Sequence, residues 1–181
     1  MITTIISNNC TGGAVCHELG MEFKSPTVNL QILPEDYIPF CAHLKEFMNE
    51  QIFETFAFDP PEVKALNKMF GGIPNFPIGR FRCGGLICFQ HYATFGEAKA
   101  KWDERKAKID YDHIGYIFHA RGEEYRAEAE EFLALDLPNK LCITQNFEVP
   151  GSVRMDGEGF DSVNGKLRIV QAYDYRRWVN G

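Results

Sequence analysis

The chain has 181 residues, of which 45% are hydrophobic and 13% aromatic, enough to bury a core of ordinary size without disulfide or metal staples. Nineteen lysines and arginines against twenty-five aspartates and glutamates give a formal charge of -6, which excludes a general electrostatic pull toward nucleic acid or anionic lipid. The six cysteines (Cys10, Cys16, Cys41, Cys83, Cys88, Cys142) form no C-x-x-C pair and sit mostly in apolar stretches, as free thiols do in a reducing cytoplasm.

The amino terminus, "MITTIISNNC", has neither the basic region nor the long apolar core of a leader. No window approaches about eighteen uninterrupted apolar residues, so no membrane span is expected. The Gly- and Pro-rich pieces "GGIPNFPIGR" and "EVPGSVRMDGEGFDS" are loop-length rather than linker-length, and the expectation is one α/β domain over residues 1–181.

In chain order, residues 3–7 are β-branched at nearly every position and predict a strand covered on both faces. A short helix over 14–19 follows, closed by Gly20, and "PTVNLQIL" reads as a second strand. The segment 36–49 carries Tyr37, Phe40, Cys41, Leu44, Phe47 and Met48 on one helical face. Its Pro39 is tolerable if Asp36 is the N-cap, which puts the proline in the first turn. Residues 52–80 predict a short helix over "PEVKALNKMF" and then turns. "LICFQHY" predicts a buried strand, and "TFGEAKAKWDERKAKI" a helix with a Thr94/Glu97 capping box and an apolar stripe that anchors Trp102. "IGYIFHA", "KLCITQN" and "KLRIVQAY" predict strands, "EEYRAEAEEFLAL" a helix, and "DYRRWVNG" a final aromatic turn. Strands alternating with helices predict a single three-layer α/β domain with a mainly parallel, Rossmann-like sheet, whose ligands bind beyond the carboxyl ends of strands.

Asn8, Asn9 and Cys10 stand at the carboxyl end of the first strand, and Gly12 and Gly13 open the following helix. The pattern fits a cradle for an anionic group; it equally fits a tight turn whose asparagines bond to backbone. It has neither the G-x-G-x-x-G spacing nor a P-loop lysine. Cys10 at a helix N-terminus is a candidate nucleophile and His91 its candidate base, against the alternatives of a packing thiol and a core histidine. His17, His43, His113 and His119 form no metal-ligand spacing. Asp110 to Asp112, "DYD", fall on the amino-end face of the sheet, and the acidic loop of Asp156, Glu158 and Asp161 lacks EF-hand order, so no metal site is expected.

Taken together, "TIISNNC-x-GG", "SPTVNL-x-x-x-PEDYIPF", "FPIGR", "HYATFGEAKAKWDERKAKI", "NKLCIT" and "DYRRWVNG" resemble a bacterial family of uncharacterised domains often found among genes for exopolysaccharide or capsule biosynthesis. The family pattern places tryptophan where this chain has Thr11, so an aromatic contact that the resemblance implies is missing here. The resemblance places Tyr92, Trp102 and Arg105 in matched motifs, with Tyr92 and Arg105 as candidate ligand groups beside Asn8, Asn9, Gly12 and Gly13. It implies a cytoplasmic protein of surface-polysaccharide synthesis. On one reading it transfers a glycosyl or acyl group from a nucleotide-sugar or acyl donor; on another it is a non-catalytic protein that binds glycan or assembles the pathway; on a third it is a Cys–His hydrolase.

Overall fold

A computed structural model describes residues 1–181. The chain opens with β1 (Thr4–Ser7) and α1 (Thr11–Leu19), followed by β2 (Gln31–Ile32), α2 (Pro34–Ala42), α3 (Leu44–Asn49), β3 (Ile52–Glu54), α4 (Pro60–Phe70), β4 (Ile78–Phe81) and β5 (Leu86–Cys88). After these come α5 (Phe95–Lys106), β6 (Ile114–Ala120), α6 (Arg126–Ala134), β7 (Lys140–Gln145), β8 (Val153–Met155), β9 (Ser162–Val163), β10 (Lys166–Leu167), α7 (Arg168–Gln171) and α8 (Tyr175–Asn180). The fold is mixed α/β.

Strands β1, β6, β7 and β8 form a wholly parallel sheet in that order. Because side chains alternate across a strand, β6 serves two cores at once. Ile117 joins Ile5, Val15, Ile143, Met155 and Tyr175 on the face covered by α1, α7 and α8. Ile114, Tyr116, Phe118 and Ala120 face a larger core with Tyr37, Phe40, Phe81, Trp102 and Phe132. Trp102 is fully buried there, as its place on the apolar stripe of α5 predicts.

The alternation of elements predicts one mainly parallel sheet, but the structure carries a second four-stranded sheet, antiparallel throughout, in the order β2-β5-β4-β3. Two of its strands, β3 and all but the last residue of β4, fall within the irregular stretch 52–80, each too short to show a period of two. Within the parallel sheet the strand order runs one way, so there is no reversal of winding to create the crevice expected in a doubly wound fold.

Several boundaries also differ. α2 starts at Pro34, which takes the first helical position itself, so Pro39 lies inside the helix and the chain breaks at His43 into α3. "KLRIVQAY" supplies two strand residues and then turns into α7, and "DYRRWVNG" is a helix capped by the Asp174 carboxylate rather than a turn. "PTVNLQIL" gives a strand of only two residues, because Ser25 and Thr27 side chains bond locally and hold a turn ahead of it.

Candidate functional site

The carboxyl end of β1 meets the two sheets at one point. The Asn8 side chain lies against β6, where its Oδ1 accepts from the His119 N–H at 2.9 Å and its Nδ2 donates to the His119 carbonyl at 3.2 Å. Asn9 Oδ1 accepts from the Thr11 N–H at 3.0 Å, which leaves its Nδ2 facing His119 Nδ1 at 3.3 Å, and Thr11 Oγ1 lies 3.1 Å from the same nitrogen. Both asparagines are buried, at 1% and 2% exposure. Each amide is engaged at both ends, so the two asparagines tie the end of β1 to β6 and to the start of α1.

The two glycines that follow are set by packing distances. A methyl group on Gly12 would stand 2.9 Å from Ser7 Cβ, and one on Gly13 would stand 3.2 Å from a Val28 methyl. The small size of Gly12 lets α1 approach β1, and Gly13 packs closely on the Val28 turn.

Cys10 is half-buried and points toward the second sheet. Its Sγ lies 3.2 Å from His91 Nε2 and accepts from Gln90 Nε2, also at 3.2 Å. A short chain of backbone bonds brings these distant residues together. The Ile32 N–H donates to the Asn8 carbonyl at 2.8 Å, hanging β2 on the end of β1. β2 pairs antiparallel with β5 through Gln31 and Cys88. Just after β5, a turn closed by the Tyr92 N–H and the Phe89 carbonyl at 3.0 Å presents Gln90 and His91 to the thiol. His91 is exposed, so a reactant can reach the pair from solvent.

Tyr92 and Arg105, named from the sequence among the ligand groups, brace this turn. Arg105 Nη1 donates to the Tyr92 hydroxyl at 3.1 Å and to the Val28 carbonyl at 3.1 Å, tying α5 to the turn beside His91 and to the one that packs on Gly13. The Tyr92 ring packs edge-on against Phe89.

Burial pushes the Cys10 thiol above its ordinary value, opposed by the Gln90 hydrogen bond and then by the positive charge of Arg121. The resting group near neutral pH is therefore the thiol, and a base within reach is needed to make the nucleophilic thiolate. His119 is pushed the other way: burial first, then Arg121, lower it to about 4, so its ring is neutral at physiological pH. Arg121 itself pairs with Glu158 at 3.0 Å.

Gln90 is a member of this cluster that sequence reasoning missed, and only its place beside His91 at a strand end signalled it. Elsewhere, Asp110 of the "DYD" triplet bonds Thr3 and His113 at the opposite end of the sheet. No group of three or more His, Cys, Asp or Glu side chains comes together in a way that could hold a metal ion. All six cysteines are free thiols, and no helix is long and apolar enough to cross a membrane.

With this geometry in place, comparison with known proteins gives a match over residues 2–178 to the family described as "Domain of unknown function (DUF1919)". The chain belongs to the DUF1919 family. A Haemophilus influenzae (strain Rd) relative described as an uncharacterized protein is similar to it, at 24% identity over 189 residues, covering 98% of this chain and 84% of the relative. In this DUF1919 chain the residue after the cysteine, Thr11, is fully buried and bonded to His119, so it presents no surface on which a ligand ring could stack. A hollow of about 340 Å³, lined by Ile2, Leu19, Met21, Lys24 and Arg176, sits at the other end of β1, away from the thiol.

Proposed function

We propose that this protein is a thiol-dependent acyl transferase in which Cys10 is the nucleophile, His91 the general base and Gln90 a hydrogen-bond donor to the sulfur. The observation that carries this reading is the 3.2 Å contact between Cys10 Sγ and His91 Nε2, with Gln90 Nε2 at the same distance from the sulfur. A thiol beside an accessible imidazole at the start of a helix is matched to attack on a carbonyl carbon. It lacks the pair of carboxylates with which glycoside hydrolysis is canonically carried out.

In this scheme His91 Nε2 takes the Cys10 proton as the sulfur bonds to the acyl carbon of an ester or thioester donor. The bond from that carbon to the leaving group breaks, and the leaving alcohol or thiol takes the proton back from His91. A hydroxyl of the acceptor then gives its proton to His91 and attacks the S-acyl carbon, and the Cys10 sulfur recovers the proton as it leaves. The resemblance to polysaccharide-associated proteins supplies the acceptor class, a sugar hydroxyl of a surface glycan; water in its place would make the protein a hydrolase. A three-layer, Rossmann-like packing about the parallel sheet belongs to the same reading.

The test is exposure of the purified protein to acetyl-CoA and to small activated esters, with intact-mass and peptide analysis for an acyl group on Cys10. The expected result is an adduct that is absent in Cys10→Ser, slow in His91→Ala and discharged by sugar alcohols. Absence of any Cys10 adduct with every donor class would leave a binding or assembly protein and overturn the catalytic reading.

A further inference from the structure

We propose that His119 is the positioning residue of the Cys10 turn: through one ring nitrogen and its own peptide group it holds Asn8, Asn9 and Thr11, and so fixes the direction in which the thiol faces His91. This assignment rests on the thiol-dependent reading above.

Four interactions converge on this one residue. Two run between the Asn8 amide and the His119 backbone, which dock the end of β1 onto β6 in the way a further ladder rung would. The other two run from Asn9 Nδ2 and Thr11 Oγ1 to the ring nitrogen Nδ1, on the residues immediately before and after Cys10. Cys10 itself makes no bond to His119; it is the middle of a turn clamped on both sides.

The direction of these bonds fixes the ring's protonation. Because Asn9 Oδ1 is held by the Thr11 N–H, the group facing the imidazole is the amide nitrogen, which can only donate. Nδ1 must therefore accept, its single lone pair shared between Asn9 Nδ2 and Thr11 Oγ1, and the proton of the neutral ring sits on Nε2, which is buried on the side of the Gln145 side chain. The low affinity of His119 for a second proton, produced by burial, keeps that acceptor available at physiological pH.

The ring also has little room to move. A methyl on Gly159 would stand 2.9 Å from its Cε1, and the Phe160 ring packs 5.9 Å away, centre to centre. A rigid, neutral acceptor is what a turn needs if its central side chain is to meet a partner from another sheet at hydrogen-bond distance, because small misplacement of a reacting group costs rate steeply.

The experiment follows iodoacetamide labelling of Cys10 against pH in the full-length protein, read peptide by peptide, with exposed Cys83 as an internal reference. His119→Leu is expected to slow Cys10 labelling near neutral pH by about 10- to 100-fold and to turn its pH profile into that of a simple thiol. Thr11→Val, which preserves shape and removes one bond, is expected to move it the same way by less. His119→Asn, whose Oδ1 can accept in place of Nδ1, is expected to restore the natural profile, and Cys83 is expected to be unaffected throughout. A folded His119→Leu or Thr11→Val protein that keeps the natural Cys10 profile overturns the assignment, and if His119→Leu fails to fold, Thr11→Val decides alone. Failure of the underlying reading looks different: the natural protein would itself show a simple-thiol profile, indifferent to His91→Ala, and both proposals would fall together.

Discussion

Cys10 and His91 stand 81 residues apart in the chain and 3.2 Å apart in space, one at the end of a parallel strand and the other in the turn after an antiparallel one. Gln90 completes the group, and its contribution has a sign. Its amide donates to the sulfur and so favours the thiolate against the burial that disfavours it. Gln90→Leu is expected to shift Cys10 alkylation to higher pH and to slow it near neutrality by about tenfold, the size of a lost hydrogen bond to a charged group. Stopped-flow alkylation across pH checks this.

Two glycine substitutions are expected to have opposite effects. Gly12→Ala drives a methyl against Ser7 Cβ and an Ile5 methyl, at 2.9 and 3.3 Å, and Ser7 Cβ cannot yield without moving β1. The expected loss is about 1–3 kcal/mol, together with slower Cys10 labelling as α1 is displaced. Gly96, in the first turn of α5, has nothing within 4 Å of such a methyl, so Gly96→Ala is expected to stabilise by up to about 1 kcal/mol. Urea unfolding of both variants measures the contrast.

Asp36 supports a prediction about pH. Its Oδ2 accepts from the Leu86 N–H at 2.9 Å, and burial raises the carboxyl from its ordinary 3.8 to about 6, with that backbone bond opposing and Glu35 and Glu62 adding to the rise. A raised acid holds its proton in the folded state more tightly than in the unfolded one. Its stabilising contribution is therefore complete below 3.8 and is lost as pH rises through 6. Asp36→Asn keeps an acceptor for Leu86 and carries no charge, so it is expected to be more stable than the natural protein by about 1–2 kcal/mol above pH 6, with the difference shrinking toward pH 4. Taking the difference between the two proteins cancels the opposite slope from His119, which is lowered to about 4 and so costs stability as pH falls below 6.5.

The Tyr37 hydroxyl bridges two strands, its one proton shared between the carbonyls of Ile6 in β1 at 3.0 Å and Ile117 in β6 at 2.9 Å. Its ring stacks on Phe118, so Tyr37→Phe preserves the packing and removes only the bridge. The expected cost is about 1–2 kcal/mol. Faster amide exchange along residues 4–7 would show that the loss is local to this strand pair.

The sequence by itself determined those elements whose side chains carry a complete local signal. β6 is wholly buried over Ile114–Ala120, and its apolar run predicts the same residues; α5 begins where Thr94 accepts from the Glu97 N–H, one half of the expected capping box. It also placed Cys10 at a strand end and named His91 as its possible base. What it left open was the use of each polar group, because a hydrogen bond depends on which distant atom arrives opposite it. Asn8 and Asn9 read equally well as a ligand cradle and as a scaffold until β6 brings His119 against them. Likewise β2, with two residues, has no period of its own. Only its pairing with β5 and the Ile32 bond to the Asn8 carbonyl make it a strand, and that same pairing carries His91 to the thiol. Local periodicity thus decided where the backbone is regular, and long-range hydrogen bonding decided which side chains are left free to react.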